Sequence, residues 1–323
     1  MKKINYSLVY SILIIITLLL IIALLLEVIN IHNENKNNSS NNNEIHQTGY
    51  QFISPLLECG APHNLIKSKL EIELKEIIDN NIKKHNIINA SLYLRDLNNG
   101  FFLEIYGDEE FTPASLLKVP LMMAYLKIAE NNSTFLDKKL KIEPDESSLE
   151  QNITPTYHLE VGKEYTILEI IKAMIIYSDN RGANTLLKNI DVNTHDQIYK
   201  DLNIRNPKDS NPENFLSVQE YSAFFRILYN ASYLNKEMSE KALQIMSLSE
   251  YKQGLRANIP ESIIISHKFG ERIFEDIKQL HDCGIIYQNN NPYLLCIMTR
   301  GQDFNDMSLS IKELSNIVYQ EFH

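Results

Sequence analysis

The chain lacks any surplus of positive charge: 31 Lys and Arg stand against 41 Asp and Glu, a formal net charge of −10. Nothing in that balance would hold a phosphate backbone, so nucleic acid is excluded as a partner. Cysteine is scarce. The three residues Cys59, Cys283 and Cys296 are an odd number, which excludes a complete disulfide framework. Two readings of them stand: one bridge from Cys59 to Cys283, which an extracytoplasmic location permits, or three buried free thiols. The nine histidines show no zinc-ligand spacing. No Gly-rich phosphate loop is present either, so no metal or nucleotide cofactor is expected.

Near the N-terminus, residues 8–26 form an uninterrupted run without charge. At ~1.5 Å per residue the run spans roughly 28 Å, about the thickness of a bilayer core. Lys2 and Lys3 precede it and Glu27 and Glu34 follow, which places the bulk of the chain outside the cytoplasm. The rival reading is a cleaved signal peptide, but no small-residue cleavage site follows Leu26. The expected organisation is therefore a single-pass anchor at residues 7–27, then an Asn-rich flexible tether at 28–49. A cell-membrane protein whose folded part, residues 50–323, is extracytoplasmic follows from it.

Within the folded part, apolar residues recur at helical spacing over residues 66–82 (Leu70, Ile72, Leu74, Ile77, Ile78). Residues 90–97 and 101–106, joined at Asn98-Asn99-Gly100, read as a β-hairpin. A buried helix is expected over 115–128. Two capping boxes, Thr166-Ile167-Leu168-Glu169 and Ser217-Val218-Gln219-Glu220, open helices running to about Tyr177 and Tyr229. Further helices are expected at 184–190, 195–202 and 238–247. The chain then returns to strands at 262–266, 284–287 and 293–299, and a helix over 309–322 closes it. Strands first and last with helices between imply one antiparallel sheet built from both ends of the chain, carrying an inserted helical lobe.

Three strings carry chemistry. Ser115-Leu116-Leu117-Lys118 places a hydroxyl and an amine one helical turn apart. Ser178-Asp179-Asn180 follows 63 residues later and Lys268-Phe269-Gly270 a further 90. Serine is a poor nucleophile without an adjacent base, and a desolvated lysine near another cation can lose its proton near neutral pH. A second Ser-x-x-Lys, at Ser249 to Lys252, lies on a polar stretch with no Ser-Asp-Asn behind it. His267 could relay a proton, but a histidine at a strand edge is the commoner case; His281 and Asp282 form no metal spacing.

In this order the three strings resemble the signatures of class A serine β-lactamases and the related penicillin-interacting D-Ala-D-Ala peptidases. The resemblance covers roughly residues 65–323 and includes Phe111-Thr112-Pro113-Ala114 and Gly254-Leu255-Arg256-Ala257. It implies an α/β (α+β) fold with a five-stranded antiparallel sheet flanked by helices, plus an all-helical lobe. It also implies roles: Ser115 attacks an amide carbonyl, Lys118 takes its proton, and Ser178 relays a proton to the leaving nitrogen. Asn180 orients the substrate amide and contacts Lys118, while Lys268 lowers the Lys118 pKa and attracts a substrate carboxylate. Gly270 belongs to the third motif, and the backbone N–H groups of Ser115 and Glu271 form the oxyanion hole, one such donor contributing about 3 kcal/mol.

Two departures qualify the resemblance. Phe269 stands where the family has a hydroxyl that holds a substrate carboxylate, and losing that donor costs ~1–3 kcal/mol; Arg272 or Ser266 is the candidate replacement. The segment 205–215 is short and carries no Glu-x-x-x-Asn, so the family's deacylating Glu has no clear counterpart; Glu213 reads as a solvated loop residue. The chain is expected to be a monomeric serine hydrolase that opens a β-lactam amide and deacylates slowly. The alternatives are a peptidase-like enzyme acting on peptidoglycan peptides, and a receptor that binds β-lactam or muropeptide without turnover.

Overall fold

A computed structural model describes residues 45–58, 67–84, 87–132, 134–144, 151–207, 214–288 and 291–322. The expected membrane anchor and most of the tether lie outside these residues, as do Cys59 and Glu213. Among the described residues no helix is long and apolar enough to cross a membrane.

In chain order, β1 (Ile45–His46) pairs with β2 (Leu56–Glu58), so the end of the expected tether is structured. Helix α1 (Lys67–Lys84) precedes β3 (Ile87–Asp96), β4 (Phe102–Ile105) and the short β5 (Glu110–Phe111). A 3₁₀ turn (Ala114–Leu117) leads into α2 (Lys118–Ala129), and β6 (Lys139–Lys141) and β7 (Glu164–Thr166) pair before α3 (Ile167–Ile176). The lobe continues with α4 (Asn180–Asn189), α5 (Val192–Asp201), β8 (Leu216–Ser217), α6 (Val218–Tyr229) and α7 (Lys236–Ser247). The chain ends with β9 (Ile264–Phe274), β10 (Ile277–Tyr287), β11 (Tyr293–Gly301) and α8 (Phe304–Phe322).

Five strands form one antiparallel sheet in the order β4-β3-β11-β10-β9. Both capping boxes form as expected, with Thr166 and Ser217 each accepting from the backbone three residues on. The strand expected at 262–266 runs on to Phe274 and turns at Glu275 (φ 52°), so β9 and β10 make a hairpin that the sequence reading missed. The charged residues of 267–278 hid it by breaking the apolar pattern.

Side-chain alternation puts the sheet between two cores. Leu92, Leu295 and Ile297 face α1 and α8, meeting Leu74, Ile78, Ile311 and Leu314. Tyr93, Leu294, Cys296 and Met298 face the helical lobe, with Val119, Met122, Phe224 and Phe225. Cys283 and Cys296 are register partners on this second face and form a disulfide. Both expectations for the cysteines are thereby corrected: Cys283 does not bridge to Cys59, and the three are not all free. The physical reason is register, which sets the two side chains opposite one another with Cα atoms 4.0 Å apart.

Where the chain first enters the fold, the Glu240 carboxylate accepts hydrogen bonds from the backbone N–H groups of Gln51, Phe52 and Ile53, at 2.9–3.2 Å. Tyr287 donates to the Phe52 carbonyl at 2.9 Å. These contacts fix the incoming segment to α7 and β10.

Candidate active site

Ser115 sits on the 3₁₀ turn, where the sequence suggested the start of a helix, and Lys118 is the first residue of α2. The turn begins from Ala114, held at φ 52°, a left-handed conformation unusual for a residue with a Cβ. Its surroundings hold it from three sides. Thr112 donates its N–H to Gln279 Oε1 at 3.0 Å, while His281 Nε2 donates to the Thr112 carbonyl at 2.9 Å. Thr299 donates to His281 Nδ1, which fixes the neutral tautomer; burial lowers the His281 pKa to about 4. Tyr221 donates to the Leu116 carbonyl at 2.9 Å. From the sheet, β9 presses in at Gly270: a Cβ there would lie 2.6 Å from the Pro113 carbonyl oxygen and 3.1 Å from Leu116 N. Only glycine lets the strand backbone come this close to the turn that carries Ser115.

The three motifs converge on one hydroxyl. Lys118 Nζ donates to Ser178 Oγ at 3.1 Å, and Lys268 Nζ donates to the same oxygen at 3.0 Å. Lys118 also donates to the Ser178 carbonyl at 2.6 Å and to Asn180 Oδ1 at 2.7 Å. No hydrogen bond reaches the Ser115 hydroxyl among the described residues; Ser115 and Lys118 instead line one cavity together with Asn180 and Glu271. Ser178 itself adopts φ 58°, a second strained residue in the site. Asp179 is structural: it caps α4 by accepting from Gly182 N at 2.6 Å.

Burial sets the electrostatics. Lys118 is 6% exposed, and desolvation lowers its pKa to about 7, against the opposing pull of Asp179 and Glu271. Lys268 has no exposed surface; burial, then the charge of Lys118, pushes it well below the usual lysine range. Its amine also donates to the Phe269 carbonyl at 2.7 Å and lies 4.2 Å over the Phe269 ring. At least one of the two amines is therefore readily held without charge near neutral pH, which is the condition for a lysine base.

Several residues fall elsewhere than the sequence suggested. The Phe269 ring is buried and stacks on Tyr251 at 4.2 Å, in the core that faces α8. Ser266 is fully buried and donates to the Leu243 carbonyl, so it is not a replacement for the missing hydroxyl; Arg272 does line the cavity. His267 lies on the edge strand β9, as the sequence suggested, and is buried against Asp282 at 2.9 Å, so it is not a relay into the cavity. Glu271 brings more than its backbone: Oε1 accepts from Ile153 N at 2.8 Å, and Oε2 is buried with no hydrogen-bond partner among the described residues. The sequence reading also passed over Gln151, which lines the cavity and donates to the Ser178 carbonyl at 2.8 Å. No local pattern marks either residue; only the sheet's approach to the lobe brings them in. No group of His, Cys, Asp and Glu among the described residues could hold a metal ion.

The five-stranded antiparallel sheet with its helices is a class A β-lactamase-like α/β fold, and solved structures bear out that class. PBP-A aligns at a TM-score of 0.65 and 23% identity, over 81% of this chain and 97% of its own. A variant of PBP-A with similar agreement is an acyl-enzyme complex with penicillin G. The TLA-1 extended-spectrum β-lactamase aligns at a TM-score of 0.66 and 19% identity, over 78% of this chain and 99% of that one. In sequence, a β-lactamase of Citrobacter koseri is 21% identical over 206 residues, 59% of this chain and 68% of the relative. Residues 72–322 match the model of the β-lactamase enzyme family, and the chain belongs to that family of serine hydrolases.

Proposed function

We propose that the protein acylates Ser115 with the carbonyl of a β-lactam amide and releases the product slowly. One observation carries the reading: the amines of Lys118 and Lys268, from separate motifs, meet on the Ser178 hydroxyl at 3.1 and 3.0 Å. As free base, Lys118 accepts the Ser115 proton while Oγ bonds to the carbonyl carbon. The C–N bond then breaks, the leaving nitrogen takes the Ser178 proton, and an amine restores it. Asn180 orients the acyl amide, and the backbone N–H groups of Ser115 and Glu271 receive the oxyanion. Arg272, on the cavity wall, supplies the cation for a substrate carboxylate in place of the motif's hydroxyl.

Slow deacylation follows from the short segment between α5 and α6, whose sequence carries no Glu-x-x-x-Asn; its one Glu, Glu213, lies outside the described residues. The same observation favours a second reading, a peptidase-like or receptor protein whose acyl-enzyme persists on peptidoglycan peptides. We further propose that residues 8–26 anchor the protein, as a monomer, on the outer side of the cell membrane. Labelled penicillin and a chromogenic cephalosporin separate the two readings of the site. Colour that keeps developing past one equivalent supports slow turnover, and colour that stops at one equivalent with a persistent adduct on Ser115 supports the second reading. Ser115→Ala that retains both signals removes this residue from the chemistry.

A further inference from the structure

Residues 151–161, between β6 and β7, form neither helix nor strand, and Gln151 and Asn152 line the catalytic cavity. Hydrogen bonds tie this segment to the helical lobe. Gln151 Nε2 donates to the Ser178 carbonyl at 2.8 Å, Leu159 N donates to Asp179 Oδ2 at 3.3 Å, and Arg181 donates to the Leu159 carbonyl at 2.8 Å. One contact at the cavity ties it to the sheet instead. Ile153 N donates to Oε1 of Glu271, on β9, at 2.8 Å, and the Ile153 side chain packs against the core that faces α1 and α8. A short chain of contacts therefore runs from β9 through Glu271, Ile153 and Gln151 to Ser178.

The far end of that chain is the residue on which the site converges. The Ser178 carbonyl accepts from Lys118 Nζ at 2.6 Å as well as from Gln151, and its hydroxyl receives both amines. Ser178 holds φ 58°, a conformation that persists only where the surroundings over-determine it. The near end is costly in its own way. Glu271 Oε2 is buried without a hydrogen-bond partner among the described residues. Buried polar atoms are rarely left unpaired, so packing alone gives no reason for a carboxylate here.

We infer that the Glu271 side chain is a positioning residue for acylation: its Oε1 holds Ile153 against β9 and thereby keeps Gln151 on the Ser178 carbonyl. The inference rests on Ser115 acylation as proposed above, and it gives this side chain a task separate from the backbone N–H of the same residue. It is also separate from charge. Burial lowers the pKa of Lys118 and Lys268, and the Glu271 charge opposes that shift; a hydrogen-bond acceptor at Ile153 needs no charge.

The test compares Glu271→Gln, which keeps the acceptor, with Glu271→Ala, which removes it; both keep the backbone N–H. Acylation of the full-length protein by a chromogenic β-lactam is read in single turnover at pH 9, where Lys118 is the free base with or without the neighbouring charge. Amide hydrogen exchange at Ile153 is read without substrate. Glu271→Ala should acylate about tenfold more slowly and exchange at Ile153 about tenfold faster, and Glu271→Gln should restore native behaviour in both. Gln151→Ala should slow acylation to the same degree, and combining it with Glu271→Ala should add nothing, because both break one link. Glu271→Gln as slow as Glu271→Ala, native exchange at Ile153 in Glu271→Ala, or fully additive losses in the double variant would each overturn the inference. Should Glu271→Ala not fold, a native rate in Gln151→Ala overturns it alone. These results leave Ser115 acylation standing, whereas a native protein that never labels Ser115 would overturn both.

Discussion

The Lys118 amine is the most informative group to titrate. It is buried at the base of the cavity, and desolvation brings its pKa to about 7, more than three units below an exposed lysine. The base is the uncharged form, so acylation should rise with pH through about 7 and level off above 8. Below the midpoint the free-base fraction falls about tenfold per pH unit. Between pH 9 and pH 5 the acylation rate constant should therefore drop about a hundredfold. Glu271 supplies a second, signed perturbation. Its negative charge raises the Lys118 pKa, so Glu271→Gln should move the rising limb to lower pH. Single-turnover acylation with excess chromogenic β-lactam, from pH 5 to 9, reads both effects without interference from deacylation. A flat profile in the native protein would refute the lysine base. A limb displaced to higher pH in Glu271→Gln would refute the electrostatic account of its position.

Three further outcomes follow from contacts around the site. Gly270→Ala places a methyl 2.6 Å from the Pro113 carbonyl and should shift the turn that carries Ser115; we expect ~1–3 kcal/mol lost in urea unfolding and ~10²-fold slower acylation. His281 stays neutral when folded, with a pKa of about 4 against an unfolded value near 6.5. Its contribution is complete above pH 6.5 and is lost as pH falls toward 4, by about 3 kcal/mol, because only the unfolded chain gains the proton in that window. Comparing native protein with His281→Gln by thermal unfolding at pH 7 and pH 4 isolates that slope. Glu240→Ala leaves three backbone N–H groups of residues 51–53 without their acceptor; limited proteolysis should then cut ahead of residue 54, with a loss of ~1–3 kcal/mol.

What residue order alone determined is the local part of the protein. Apolar spacing located α1, α2 and α8, and the boxes at Thr166 and Ser217 marked the starts of α3 and α6, because these signals act within a turn or two of chain. The three motifs were legible for the same reason: each is a short string whose residue types are demanded by chemistry. The long strand β9 was only half visible, since its second part is a charged edge with no periodic apolar face. The Cys283–Cys296 bridge depended on register between β10 and β11, which no spacing of cysteines encodes. Tertiary structure likewise turned Phe269 into the core, paired His267 with Asp282, and brought the Glu271 carboxylate to the lysines. Above all it decided the titration of the site. A lysine's charge depends on how much water surrounds it, and only the closing of the helical lobe onto the sheet removes that water from Lys118 and Lys268.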